Sequence, residues 1–348
     1  MCMAYNCSEL ERTTEGNIFS YTNMLSIIFL LIVILLPEGN AFCLESDRRA
    51  LVDFKSGLDD HKDRLASWKG ESCCQWSGIT CNNKTGAVIA IDLLSAGSLD
   101  WLTGLESLKY LQMRGINLSK VGSDWIVPLN KLPSLSELHL SFCSLRSFKS
   151  SLNVVNFTSL AVLDLSLNDF HSEIPNWLSN ITSLESINLR SSKLYGRIPL
   201  GLTGLQNLRS VDLAENKNLT GNSSQLFAGS WRMAEYLKLE FIQLHGELPA
   251  TIGNMTSLRF LRLIRNGVEG GLPSSIGNKI VGELPNWLSQ LRSLVKLQLG
   301  DNLLQGPIPA LWVTVHLSEL ILEGNRLMVL SQILWAALRV VTYRCFFQ

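Results

Sequence analysis

The apolar residues of this chain recur in one fixed spacing over most of its length. In one copy they stand at Leu160, Leu163, Leu165 and Phe170, with Asn168 between the last two. Three further clear copies begin at Leu258, Leu294 and Leu317, and weaker copies begin at Val88, Leu108, Leu135, Leu184, Leu208 and Ala234. Between residues 135 and 258 the copies start 25, 24, 24, 26 and 24 residues apart, so the chain consists of about ten repeats of one structural unit.

The spacing within each copy predicts one short strand per repeat. Leu163 and Leu165 are two residues apart and therefore point inward from the same face of a strand, whereas Asp164 and Ser166 point outward. A single repeat cannot bury its leucines alone, so neighbouring repeats stack and share one core. The pattern predicts an α/β repeat protein in which successive coils form a solenoid.

The asparagine of the pattern marks the bend after each strand. There its amide can satisfy backbone groups that the bend leaves unpaired, which predicts a ladder of asparagines along the solenoid. Other residues take this place at Ile116, Cys143, Ser192 and Ile242, and we expect those coils to be less well tied. Cys143 is interpreted as a substitute in the ladder and not as a reactive thiol.

A second motif of the form Gly-x-Ile/Leu-Pro follows several of the strands. It occurs at residues 196–199, 246–249, 282–285 and, with proline at the second position, 306–309. Glycine permits a turn and proline holds the backbone extended, so this segment leaves the inner strand and runs along the flank of the solenoid.

Composition and charge narrow the choice of function. Lys plus Arg and Asp plus Glu both number 30 in 348 residues, so no positive excess favours nucleic acid as the main partner. Four of the eight cysteines lie between residues 43 and 81, a density typical of proteins in oxidising compartments.

Two features favour secretion. An apolar run over residues 25–36 is followed by Pro37 and by the small residue Ala41, which predicts a signal peptide. Acidic residues precede the run, which leaves translation from Met24 or an uncleaved anchor as alternatives. Sequons for N-glycosylation then spread along the chain. They lie at Asn83, Asn117, Asn156, Asn180, Asn218, Asn222 and Asn254.

The segment before the repeats combines a helical pattern with closely spaced cysteines and tryptophans. It reads CLESDRRALVDFK from Cys43, then LASW from Leu65, then CCQWSGITC from Cys73 to Cys81. This segment resembles the N-terminal cap of plant-type leucine-rich-repeat proteins, and the Gly-x-Ile-Pro motif is similar to their signature. The paired Cys73 and Cys74 look most like those of receptor-like proteins, which carry a repeat ectodomain, one transmembrane helix and a short tail.

The resemblance implies a right-handed, curved leucine-rich-repeat solenoid with a helical cap held by disulfides. It implies the pairs Cys43–Cys73 and Cys74–Cys81, whereas the sequence alone permits three connectivities. We expect a signal segment with an atypical extension at 1–41, the cap at 42–87, the repeats at 88–327 and a tail at 328–348.

The pattern breaks in two places. The step from Leu258 to Leu294 is 36 residues, so one repeat near 270–285 looks half deleted. After Leu327 the signature stops, and the tail with its two arginines would make a poor membrane span. Both breaks suit a truncated or degenerate copy of a longer protein.

No catalytic, cofactor or metal site is predicted. The chain lacks the common nucleotide-binding, zinc-protease and nucleophile-elbow motifs, and its histidines do not pair at ligand spacing. We expect four of the tryptophans to fill the cap and the flanks of the coils. These are Trp76, Trp125, Trp177 and Trp287.

Candidate binding residues are therefore those that point outward from the strands, where mixed charges and aromatic rings suit a peptide or protein. They are Tyr110, Gln112, Arg114, His139, Phe142, Asp164, Asn188, Arg190, Asp212, Tyr236, Lys238 and Arg262.

The resemblance implies an extracellular or plasma-membrane receptor-like protein in defence or development. Such a protein binds a peptide or protein ligand and signals through a co-receptor or adaptor kinase that also has leucine-rich repeats. The alternatives are a secreted inhibitor of a microbial wall-degrading enzyme, similar to polygalacturonase inhibitors, and a non-functional truncated copy.

Overall fold

A computed structural model describes residues 42–56, 65–92, 99–228, 231–271, 290–307, 317–328 and 343–344. The predicted signal segment lies outside these ranges. Within them the chain forms two sheets along one solenoid, an inner sheet of twelve strands and a flank sheet of six. The predicted repeat solenoid is confirmed.

The inner sheet takes one short strand from each coil. Parallel pairing puts Leu111, Leu138 and Leu163 side by side, as the repeat spacing requires. Its strands are β1 (Ile79–Cys81), β2 (Val88–Asp92), β3 (Tyr110–Gln112), β4 (Glu137–His139), β5 (Val162–Asp164), β6 (Ser186–Asn188), β8 (Ser210–Asp212), β10 (Tyr236–Lys238), β12 (Phe260–Arg262), β14 (Lys296–Gln298), β16 (Glu319–Ile321) and β18 (Tyr343–Arg344).

Three strands of the flank sheet contain the glycine of a Gly-x-Ile/Leu-Pro segment, at residues 196, 246 and 306, whereas the segment at 282–285 lies outside the described residues. The strands of the flank sheet are β7 (Tyr195–Arg197), β9 (Asn218–Asn222), β11 (Gln243–Glu247), β13 (Gly267–Gly271), β15 (Leu303–Pro307) and β17 (Arg326–Met328). The sheet begins at β7, where Gly196 has a φ of +77°. In the preceding coil Ser172 occupies the equivalent position, and only a single bridge joins Glu173 to Tyr195. Gly196 adopts this left-handed turn without the steric penalty that a Cβ would bring.

Asparagine side chains form hydrogen bonds with the backbone at the bends, as the sequence predicts. Asn168 is 4 % exposed, accepts hydrogen bonds from the amides of Cys143 and Leu145, and donates to the carbonyls of Leu140 and Leu165. Cys143 takes part in the ladder, because its buried Sγ lies 2.8 Å from the carbonyl oxygen of Met113. Burial raises the pKa of this thiol to about 11, so it is not a reactive nucleophile.

The cap is a helix packed over the first coil. Helix α1 (Glu45–Ser56) buries Leu51 and Phe54, and the ring of Phe54 lies 4.4 Å from that of Trp101. The Asp47 carboxylate accepts a hydrogen bond from the Val88 amide at 2.8 Å, which satisfies the start of β2. Two disulfides hold the cap, and they are the pairs that the resemblance implied: Cys43–Cys73 and Cys74–Cys81.

The remaining helices are single turns on the flanks and the outer side. They are α2 (Ile126–Leu129), α3 (Leu200–Thr203) and α4 (Ser223–Leu226), with 3-10 turns at Cys73–Gln75, Asp100–Gly104, Gly122–Trp125, Asn176–Asn180 and Ala250–Asn254. Trp76, Trp125 and Trp177 are buried, as expected, and Trp287 lies outside the described residues. In the described ranges, no helix combines the length and apolar character that crossing a membrane requires.

The two breaks in the pattern have different outcomes. Strand β12 pairs directly with β14, so the inner sheet continues across the long step between them. The half-deleted repeat near 270–285 lies almost entirely outside the described residues. Most of the predicted non-repeat tail lies outside the described residues. Its residues Tyr343 and Arg344 form β18, which pairs in parallel with β16, and Tyr343 follows its partner Leu320 by about one repeat length.

Candidate ligand-binding face

The inner face is the surface formed by the outward side chains of the inner sheet and by the two residues that follow each of its strands. In β3 the middle residue Leu111 is fully buried, whereas Tyr110 and Gln112 on either side reach the surface. Parallel register aligns equivalent residues, so Gln112, His139 and Asp164 form a continuous column. The strands therefore present side chains in rows at a spacing of about 4.8 Å.

Eleven of the twelve predicted ligand-facing residues are at least partly exposed. The exception is Asp212, which is 7 % exposed. Its carboxylate accepts hydrogen bonds from Lys238 Nζ and from the Ala214 amide, each at 3.2 Å. Asp212 is thus already engaged by neighbouring residues and is not exposed to a ligand. Ser166, also expected to point outward, is buried because its hydroxyl donates to Asp164 at 2.7 Å.

The coils of β6 to β16, here called the C-terminal section, contain a buried carboxylate between two arginines. Glu240 is 2 % exposed, and its Oε1 accepts hydrogen bonds from Arg190 at 3.1 Å and from Arg262 at 3.2 Å. Arg190 lies two coils before Glu240 and passes Ala214, whose methyl group leaves the path open. The two guanidinium groups offset the hydration that Glu240 loses on burial.

Further contacts extend this network along the section. Arg262 also donates to Gln298, which in turn donates to Glu319. On the other side Ser191 and Arg190 both donate to Glu215, and these contacts lower the pKa of that carboxyl. Six described carboxylates of this section pair with lysine or arginine: Asp212, Glu215, Glu235, Glu240, Asp301 and Glu319.

The coils of β2 to β5, here called the N-terminal section, are built differently. Tyr110 donates its hydroxyl proton to Gln112 at 2.7 Å, and Gln112 donates to Asp92 at 3.3 Å. The His139 ring lies 5.4 Å from the ring of Tyr110 and 3.2 Å from a carboxylate oxygen of Glu137. Burial, aided by the negative charges of Asp92 and Glu137, raises the pKa of Tyr110.

Three carboxylates that project from the strands of the N-terminal section lack the lysine or arginine partners found further along the chain. In the part of the chain that the structure describes, neither lysine nor arginine forms a salt bridge with Asp92, Glu137 or Asp164. The strands of this section therefore present rings and negative charge, whereas carboxylates on the inner face of the C-terminal section, such as Asp212, Glu240 and Glu319, pair with lysine or arginine.

Two large apolar side chains stand on the edge of the N-terminal section. Phe142 is 64 % exposed and Leu167, in the next coil, is 46 % exposed. Both have left-handed backbones, with φ of 58° and 57°. In the chain, the small residues Ser141 and Ser166 separate them from the column of His139 and Asp164 and are 5 % and 6 % exposed. This strip of short side chains between the two rows is here called the trough.

Sequence reasoning missed Leu167. Its position directly precedes the ladder asparagine, and most other coils place a polar residue or glycine there: Gly115, Ser191, Glu215, Arg265, Asp301 and Gly324. In the described coils, Phe142 and Phe241 are the other apolar residues at this position. An apolar residue at a position that is mostly polar was the available signal.

Possible chemical sites elsewhere are few. The described residues contain one group of three side chains that could hold a metal, Cys43, Cys73 and Cys74, and all three are disulfide-bonded. Among the described histidines, His139, His171 and His245 belong to different coils.

The predicted glycosylation positions lie away from the strands of the inner sheet. The asparagines at 83, 117, 156, 180, 218 and 254 are exposed. Asn222 is half-buried, and its Oδ1 accepts a hydrogen bond from the Gln225 amide at the start of α4. We therefore expect glycans to leave the inner sheet uncovered.

Sequence comparison identifies the parts of this architecture. Residues 44–82 match the family described as "Leucine rich repeat N-terminal domain", and residues 159–181 match "Leucine Rich Repeat". The chain is 32 % identical to receptor-like protein EIX1 of Solanum lycopersicum over 49 % of its length. It is 28 % identical to EIX2 of the same plant over 83 % of its length. It spans only 18 % and 34 % of these two relatives.

Solved structures of similar fold include plant ectodomains. A plant ice-binding protein superposes with a TM-score of 0.64 at 21 % identity over 82 % of this chain and 88 % of that one, a likeness of fold alone. The Arabidopsis thaliana receptor kinase GASSHO1/SCHENGEN3 ectodomain, in complex with CASPARIAN STRIP INTEGRITY FACTOR 2, gives 0.61 at 24 % identity over 81 % and 36 %. Arabidopsis HAESA, in complex with the peptide hormone IDA and the co-receptor SERK1, gives 0.54 at 26 % over 82 % and 54 %.

The chain therefore carries the N-terminal domain and repeats described for leucine-rich-repeat proteins, and the relatives it matches are receptor-like proteins of plants.

Proposed function

We propose that this chain is the ligand-recognition part of a plant cell-surface receptor-like protein. In this proposal the inner face binds an extracellular peptide or protein segment. A partner kinase with leucine-rich repeats then transmits the signal, in defence or in development. The chain itself contributes binding and no catalysis.

One observation carries the proposal: the inner face is a continuous sheet whose outward residues are exposed, varied and held in fixed rows. Exposed aromatic and polar side chains on a rigid support are typical of protein interfaces, because little conformational freedom is lost on binding. Tyr110, Phe142 and Tyr236 supply rings, while Gln112 and Asn188 supply neutral hydrogen-bonding groups.

The similar structures support the same assignment. HAESA was solved with a peptide hormone and a co-receptor together, and it is 26 % identical to this chain. A leucine-rich-repeat solenoid can therefore hold a peptide and a second receptor at once. We infer a comparable arrangement for this chain, with the kinase supplied by a partner.

The test blocks the inner face with glycans and measures peptide capture. The purified, glycosylated chain is panned against a displayed library of random peptides. Two variants then introduce a sequon into the face: Gln112→Asn with Arg114→Thr in the N-terminal section, and Tyr236→Asn with Lys238→Thr in the C-terminal section. We expect selected peptides to lose binding to at least one of these variants.

A matched control places a glycan on the opposite side of the coil. Gly204→Asn with Gln206→Thr copies the natural sequon at Asn180 in the neighbouring coil, and it should leave capture unchanged. Peptides that bind both blocked variants as well as the wild type would refute the inner face as the site. Slower pectin hydrolysis on addition of the same protein would instead support the alternative, a secreted enzyme inhibitor.

A further inference from the structure

We propose that the N-terminal section of the inner face binds a basic peptide segment in which lysine or arginine alternates with large apolar residues. This inference rests on the proposed function and names the ligand class for the same face. The surface that carries it, here called the acidic aromatic patch, consists of Tyr110, Glu137, His139, Phe142, Asp164 and Leu167.

The charge of the patch selects a basic partner. Asp92, Glu137 and Asp164 project from β2, β4 and β5 without a salt bridge to lysine or arginine in the described ranges. Arg114 is the cation that the same outward rows contribute, so carboxylates outnumber it three to one. A ligand with positive charge would provide the partners that corresponding carboxylates of the C-terminal section find within the chain.

The apolar part of the patch has no evident role in the fold. Phe142 and Leu167 are 64 % and 46 % exposed, so they contribute little to the core. Their left-handed backbones disfavour bulky side chains, and most other coils place a polar residue or glycine there. Large apolar groups held at an exposed and strained position suit contact with a partner.

The trough lies between two walls, an acidic one and an apolar one, and this arrangement favours a peptide whose side chains alternate in character. Ser141 and Ser166 form a low floor, with Asp164 and His139 on one side and Phe142 and Leu167 on the other. Side chains of an extended peptide point alternately to opposite sides. A segment that lies along the floor would therefore turn basic residues toward the acidic wall and apolar residues toward the other.

Aromatic rings strengthen the match to a cation. The ring of Tyr110 lies 5.4 Å from that of His139, beside the carboxylate of Glu137. A lysine or arginine placed there would contact a carboxylate and the face of a tyrosine together, and both contacts favour a positive charge.

The experiment uses fluorescently labelled synthetic peptides and the complete glycosylated chain. One peptide alternates lysine with leucine. Three counterparts replace lysine by glutamate, replace leucine by serine, or group the same residues into two blocks. We expect the alternating basic peptide to bind most tightly, with an affinity that falls as salt rises, because screening weakens the exposed charge pairs.

Two double variants test the contributions of the acidic wall and of the apolar wall separately. Glu137→Gln with Asp164→Asn should weaken binding about tenfold and reduce its salt dependence. Phe142→Ser with Leu167→Ser should also weaken it about tenfold while the salt dependence remains. The matched control, Glu106→Gln with Glu247→Gln, removes two exposed carboxylates outside the patch and should change nothing.

Several outcomes overturn the inference. These are equal or tighter binding of the glutamate peptide, equal binding of the block peptide, or affinities that the patch variants leave unchanged. If library peptides lose binding only when the C-terminal section is blocked, the proposed function stands and this inference fails. If no library peptide depends on the inner face, both fail.

Discussion

The two sections of the inner face share one backbone and differ in how their charges are treated. In the C-terminal section Glu240 is buried between Arg190 and Arg262, and the neighbouring carboxylates pair with lysine or arginine. In the N-terminal section Glu137 and Asp164 remain without such partners beside exposed rings. The difference teaches that the repeat pattern specifies where side chains project, while only the identities of neighbours decide whether they are available to a ligand.

The largest expected effect comes from removing both arginines of the C-terminal section. Arg190→Met with Arg262→Met leaves Glu240 buried without its cations, and we expect a loss of about 3 kcal/mol in the free energy of unfolding. Adding Glu240→Gln should restore most of that loss, because no buried charge remains. Urea denaturation followed by circular dichroism measures both. Arg114→Met, in the N-terminal section, should have little effect, and a similar loss there would remove the contrast.

The second prediction concerns the bends, which differ from one coil to the next. Asn216 is fully buried, accepts from the amides of Ser192 and Leu194, and donates to the carbonyl of Leu189. Asn216→Ala should lower the free energy of unfolding by about 2 kcal/mol, because several backbone groups lose partners. Cys143→Ala, at the equivalent bend of an N-terminal coil, should cost about 1 kcal/mol. Equal losses in thermal melts would show that Cys143 ties its coil as firmly as asparagine does.

The third prediction is a dependence on pH located in the C-terminal section. The hydroxyl of Ser191 and the guanidinium of Arg190 lower the pKa of Glu215 below its usual 4.5. A depressed pKa means that the stabilisation is complete above pH 4.5 and is lost as the pH falls through the lower value of the folded protein. Melting temperatures measured from pH 6 downward should therefore fall less steeply for Glu215→Gln than for the wild type. Parallel curves would contradict this assignment.

The smallest expected effect has the opposite sign. Phe142→Gly should raise the free energy of unfolding by about 0.5 kcal/mol, because glycine tolerates a φ of 58° and the lost side chain is mostly exposed. The same variant should weaken binding of the alternating basic peptide. A clear loss of stability in thermal melts would instead show that Phe142 supports the fold.

Much of the fold could be predicted because it depends on local spacing. The period of the leucines is sufficient to predict one strand per coil, and the asparagine place is sufficient to predict the ladder that Asn168 forms. The disulfides were less accessible, since only the resemblance distinguished Cys43–Cys73 from the other pairings. The tail was judged from its lost signature, yet β18 needs only two residues at the correct distance to pair.

The candidate face was predictable in outline and not in detail. Outward positions follow from strand alternation, and most of the predicted residues are exposed. The burial of Asp212 was not predictable in this way, because it depends on Lys238 reaching across from the next coil. Leu167 was overlooked because the template marks its place only as variable.

By itself the sequence determined the repeat, the inward leucines, the bends and the rows of outward positions, since each depends on residues close together in the chain. Only the tertiary structure decided which of those outward residues are already engaged. Arg190 and Glu240 are 50 residues apart and meet because only one coil stacks between theirs and its residue at that place, Ala214, is small. Such a contact depends on the geometry of three coils at once, and no local pattern contains it.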